Sequence, residues 1–168
     1  SNMVRYQVAA HVGMARAFGH TVRHLKLHGA MANMASEDAE MARVCYEAAL
    51  SVDPDLIVMV LACTAQQEAV EAMGCKWAGE IFADRAYNDD ATLVDRSLPG
   101  AVIHDAKIAG PRFAGMIRDG AIIPESGKGI PAKIDTICMH GDTPEALEIA
   151  RSVRAALEAD GVEIGVFT

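Results

Sequence analysis

Two short apolar runs in this chain each end in His-Gly: residues 22–29 read Val-Arg-His-Leu-Lys-Leu-His-Gly, and residues 134–142 read Ile-Asp-Thr-Ile-Cys-Met-His-Gly-Asp. Apolar residues at strand spacing, followed by a titratable ring where the strand should stop, place a proton-transfer group on a strand end. Lys26 and His28 are two apart, so an extended chain turns both to one face. An inward lysine beside a histidine calls for an anion, although a salt-bridged strand end satisfies the same pair. His140 and Asp142 share a face in the same way, with Gly141 between them allowing close backbone approach; Asp142 has an alternative use in capping a helix that starts at Thr143.

A third group follows the apolar run at residues 77–82, Trp-Ala-Gly-Glu-Ile-Phe. Glu80 lies inside this strand, where an unpaired carboxylate is costly, so it must be paired, protonated or coordinating. Asp84 and Arg85 come just after it. Two carboxylates and a guanidinium thus arrive at the rim that carries the histidines, with a Glu80–Arg85 ion pair as the structural alternative. His11, His20, His24 and His104 read as structural or solvated. Glu125-Ser-Gly-Lys-Gly129 lacks the spacing of a phosphate loop and runs into Ile130-Pro131 instead of a helix, so it reads as a loop whose Lys128, with Lys133, can still touch an anion.

The elements that must hold these residues alternate between helix and strand. Val4, Val8, Val12 and Ala15 mark a helix stopped by Gly19, and a strand follows at residues 22–27. Ser36-Glu37-Asp38 opens a helix through Met41, Val44, Cys45, Ala48 and Val52, and residues 56–61 form a buried strand. Thr64-Ala-Gln-Gln67 opens a helix that Gly74 ends. After the strand at 77–82, a polar excursion from Ala83 to Leu98 is long enough to be a functional loop. Val102-Ile103 adds a short strand, and a helix around 105–118 is interrupted at Gly110-Pro111. Strand 134–139, a helix from Thr143-Pro144 to Gly161 and a final strand at 162–167 complete the series. The order predicts a parallel α/β domain with right-handed crossovers, in which ligands meet the carboxyl ends of the strands.

Composition narrows the function. A chain of 168 residues that is 51% hydrophobic can bury one sizeable core, and a net charge of −8 leaves no basic stripe for nucleic acid or an anionic membrane. No apolar run approaches the roughly 18 residues needed to span a bilayer, and no secretory leader opens the chain, so a cytoplasmic setting is expected. Cys45, Cys63, Cys75 and Cys138 are widely spaced among apolar neighbours. They read as buried free thiols, not as a zinc clip or a disulfide framework.

Four ordered stretches, Lys26-Leu-His-Gly-Ala30 with Asn33, Gly79-Glu-Ile-Phe-Ala-Asp-Arg-Ala-Tyr87, Leu98-Pro-Gly-Ala-Val-Ile103 and Ile137-Cys-Met-His-Gly-Asp142, resemble the LamB/YcsF family of lactam-utilisation proteins. The resemblance implies a (β/α) barrel of the glycoside hydrolase/deacetylase type, a single domain that here lacks the family's N-terminal strands and matches the C-terminal two-thirds of the family pattern. It implies the role of a 5-oxoprolinase A subunit, which opens 5-oxo-L-proline or a similar lactam to L-glutamate with ATP and Mg2+, together with partner subunits B and C. Leu27 stands where the family has Pro, Ala32 where Tyr is common, and Ala91 where Gly is frequent. Carried over by position, Lys26, His28, Glu80, Asp84, Arg85, His140 and Asp142 are the polar residues of the motifs, expected on one rim. Residue chemistry makes Glu80 or Asp84 a base, His28 or His140 an acid or base, and Lys26, Arg85 and Asp142 substrate-binding groups. Alternatives are a metal-dependent amide hydrolase or deacetylase acting on a carbohydrate, with His28, His140 and an acid as ligands of a divalent metal, and a non-catalytic binding subunit. Missing strands would leave open sheet edges, which favour association with another copy.

Overall fold

Valines at positions 4, 8 and 12 give the first helix one buried stripe, and α1 (Asn2–Ala17) packs by it. Gly19, at φ +74°, turns the chain out of the helix toward β1 (His24–Lys26). The computed structural model describes residues 1–165, in two compact units, Ser1–Ala78 and the remainder from Gly79 onward.

In the first unit, α2 (Gly29–Glu37), α3 (Ala39–Leu50), β2 (Ile57–Leu61) and α4 (Ala65–Met73) follow β1. β1 and β2 run parallel, with Leu25 opposite Val58. The helix α2 has no capping signature in the sequence, and Ser36 and Glu37 belong to its last turn instead of opening the next helix. Asp38 alone performs that task, accepting the Met41 N–H at 3.0 Å. Thr64 caps α4, and Gly74, at φ +62°, closes it. Gln66, buried at the start of α4, ties four segments together: its Oε1 accepts the Tyr46 hydroxyl at 3.0 Å and the Leu61 N–H at 3.2 Å, and its Nε2 donates to the Ala32 carbonyl at 2.8 Å.

The second unit takes most of β3 (Trp77–Phe82), then α5 (Ala106–Asp119), β4 (Ala121–Ile122), β5 (Ile130–Pro131), β6 (Thr136–Cys138) and α6 (Ala146–Ala159). β3 and β6 are parallel, as the alternating pattern requires, whereas β4 and β5 form a short antiparallel pair around the 123–129 loop. α5 runs unbroken through Gly110-Pro111. Gly110 permits this, because a Cβ there would come within 2.8 Å of the Ser152 carbonyl oxygen on α6, while Ser152 Oγ donates to the Ala106 carbonyl at 2.5 Å. α6 begins at Ala146, not at Thr143, so Asp142 does not cap it. Val162–Gly165 form no strand, and the rest of that expected element, Val166 and Phe167, lies outside the described residues. All four cysteines are free, but only Cys45 is fully buried; Cys63, Cys75 and Cys138 are half-buried, because they sit at element ends where packing is one-sided.

Replacing Gln66 with Leu keeps the volume but strands a buried hydroxyl, an amide and a carbonyl. The expected cost is about 2–4 kcal/mol of stability in chemical denaturation, against little change for Glu68→Gln, exposed on the same turn.

Candidate active site

The register of β3 on β6 sets the site. Glu80, Ile81 and Phe82 lie opposite Thr136, Ile137 and Cys138. Side chains alternate along a strand, so two residues beyond the Phe82–Cys138 pair the chain presents Asp84 and His140 on the same side. The backbone carries the pairing past the strand ends: Ala83 N–H donates to the Cys138 carbonyl at 2.9 Å, and Asp135 N–H donates to the Gly79 carbonyl at 2.8 Å. Asp135 Oδ2 returns the bond from the Gly79 N–H at 2.9 Å and takes Lys133 Nζ at 2.9 Å.

His140 Nδ1 stands 2.7 Å from Asp84 Oδ2. The Phe82 ring lies on the imidazole with centroids 5.4 Å apart and planes 20° from parallel. An ionised carboxylate can only accept, so Nδ1 is the donor, and in the neutral ring this leaves the lone pair on Nε2. Asp84 is 6% exposed, and its Oδ1 is buried with no hydrogen-bond partner among the described residues. The His140 side chain keeps 28% of its surface open. An imidazole held by edge and face, with one nitrogen free, is built to move a proton.

The neighbouring residues support this pair. Arg85 is buried and donates from Nη2 to the Val94 carbonyl at 2.6 Å and from Nε to the Ala101 carbonyl at 3.3 Å. These bonds stitch down the 83–101 excursion. Burial, with Arg96 as a second influence, pulls the Arg85 guanidinium below its usual value. Arg112 braces the same loop through the carbonyls of Arg85, at 3.3 Å, and Ile123, at 3.0 Å. Tyr87, wholly buried, accepts the Phe82 N–H at its hydroxyl oxygen over 2.7 Å, and burial pushes its phenol far above the ordinary tyrosine value. Glu80 is buried on β3, and Asp142 is exposed in the bend after His140. Of the second-unit candidates, the structure brings Asp84 and His140 into contact. Phe82, Tyr87 and Arg112 were not singled out from the sequence; the parity of Phe82 with Asp84 was the signal for the first.

In the first unit Lys26 is half-buried on β1 and His28 is exposed at the N-cap of α2. Both line a cavity of about 1110 Å³ against α1, and His11, His20 and His24 line it too, with no carboxylate on its wall. Three histidines that read as structural or solvated from the sequence therefore line the same cavity as Lys26. Helix spacing could not show this, since β1 and α1 meet only in the fold. Among the described residues no group of three or more His, Cys, Asp or Glu side chains is placed to hold a metal ion. No helix among them is long and apolar enough to cross a membrane.

The model of the LamB/YcsF family matches residues 1–168. This chain belongs to the LamB/YcsF family. It is 66% identical over 166 residues to the 5-oxoprolinase A subunit of Ruegeria pomeroyi, covering 99% of this chain and 66% of that relative. It is 48% identical to the 5-oxoprolinase A subunit of Rhodopseudomonas palustris, over 99% of this chain and 65% of that one. The crystal structure of the lactam utilization protein from Thermus thermophilus superposes with a TM-score of 0.84 at 35% identity, over 98% of this chain and 67% of the other. The chain spans about two thirds of the length of the curated relatives it matches. The α/β fold and parallel strand pairing expected from the sequence agree with this family.

One departure from the family motif has a backbone cost. Ala91, fully buried, adopts φ +66°, a left-handed conformation that a Cβ disfavours by about 1–2 kcal/mol. Ala91→Gly should raise stability by about 0.5–1 kcal/mol after the added unfolded-state entropy of glycine, read as a higher melting temperature, whereas Ala86→Gly in the same loop should lower it.

Proposed function

We propose that this chain acts as the A subunit of a 5-oxoprolinase and that its Asp84–His140 pair moves the proton in hydrolytic opening of 5-oxo-L-proline to L-glutamate. The observation that carries the reading is the His140 ring clamped at Nδ1 by a buried carboxylate with Nε2 free. The curated relatives, both named as 5-oxoprolinase subunits of the same type, support the substrate class.

A five-membered lactam resists water because amide resonance must be lost and an amine must leave. Phosphoryl transfer from ATP to the carbonyl oxygen makes the carbon electrophilic. One water then adds to that carbon and gives a proton to His140 Nε2, the C–N bond breaks, and the ring nitrogen leaves with a proton returned by the imidazole. A second water releases the phosphate from the acyl phosphate so formed. Asp84 stabilises the imidazolium between these transfers. Subunits B and C share the ATP chemistry in this reading. Lys26 and His28, both on the wall of the first-unit cavity, are polar groups of a kind that can contact a substrate in this reading.

In an enzyme reconstituted with its partner subunits, His140→Ala and Asp84→Asn should each lower lactam opening by about 10²-fold or more. For His140→Ala the melting temperature should fall, because the buried Asp84 carboxylate loses its imidazole partner, so turnover is compared at a temperature where the variant stays folded. Near-normal turnover in a well-folded His140→Ala enzyme rules the assignment out.

A further inference from the structure

We infer that Tyr87 is a positioning residue for His140, acting through the Phe82–Tyr87 loop that its hydroxyl closes. His140 is held by two residues only a step apart in sequence, Phe82 on its face and Asp84 at its Nδ1 edge. Both lie within the loop that the 2.7 Å bond from the Phe82 N–H to the Tyr87 hydroxyl oxygen ties shut. Within that loop the chain departs from the sheet: Arg85 turns to the carbonyls of Val94 and Ala101, and at its end the Tyr87 carbonyl accepts the Glu125 N–H at 3.2 Å. The Tyr87 side chain is therefore the tie that brings the loop back onto the end of β3. Its ring is fully buried, and burial keeps the hydroxyl protonated, so the bond is a neutral, permanent strut and not a proton carrier.

Cutting that strut lets the Phe82 plane and the Asp84 carboxylate shift relative to each other. A displacement of well under 1 Å is enough to change how an oriented imidazole reacts. The inference rests on the catalytic reading of His140, and its test includes a readout that does not. Nitrogen-15 NMR of the His140 ring in this chain should show the Nδ1–H tautomer in the parent. In Tyr87→Phe, which keeps the buried ring, it should show a mixture of tautomers and faster exchange of the Nδ1 proton. In the partner-complete enzyme the same substitution should lower kcat by about tenfold while KM moves less than about twofold. An unchanged His140 spectrum in a folded Tyr87→Phe chain overturns the inference, whatever happens to activity. An altered spectrum with parental kcat sustains the positioning and overturns the catalytic reading instead. If Tyr87→Phe fails to fold, Tyr87→Met, which also removes the hydroxyl from the Phe82 N–H, replaces it: loss of the Nδ1–H preference sustains the inference, and its retention overturns it.

Discussion

The register between β3 and β6 is the constraint on which the second unit depends. Phe82 opposite Cys138 brings Asp84 and His140 to the same side two residues later. A slip of one residue would turn His140 to the other face and leave Asp84 buried without its imidazole. The double bond between Gly79 and Asp135, one N–H to a carbonyl and one to a carboxylate, fixes the register at the entrance to the paired segment. The Asp84–His140 pair is thus a consequence of backbone pairing that begins several residues earlier.

That dependence explains what could be read from the sequence. The strand at residues 77–82 has the same limits in the structure because its apolar run is bounded by Gly74 on one side and polar residues on the other. Thr64 and Gly74 marked α4 through chemistry that acts within a turn, and Gly19 did the same after α1. Asp84 and His140 were recognisable as candidates from side-chain type and strand-end position.

Less legible were features decided by segments distant in sequence. Arg85 has the charge of a substrate-binding residue, and only the folded 83–101 loop brings two carbonyls to its guanidinium. The helix α2, built from Ala, Met and Asn without a capping box, forms because Ala35 and Ser36 find burial, and the Ala32 carbonyl finds Gln66. Pro111 looked like a break, but contact with α6 outweighs the lost hydrogen bond. The histidine-lined cavity draws on α1 and β1, so no single motif displays it.

The approach of α5 to α6 at Gly110 leaves no room even for a methyl group, and α6 begins six residues after His140. The loop bearing the imidazole is consequently a short tether between a paired strand and a helix that cannot slide. Any reorientation of the imidazole must be absorbed by rotation within residues 139–145, making this part of the molecule a short mount between two packed elements.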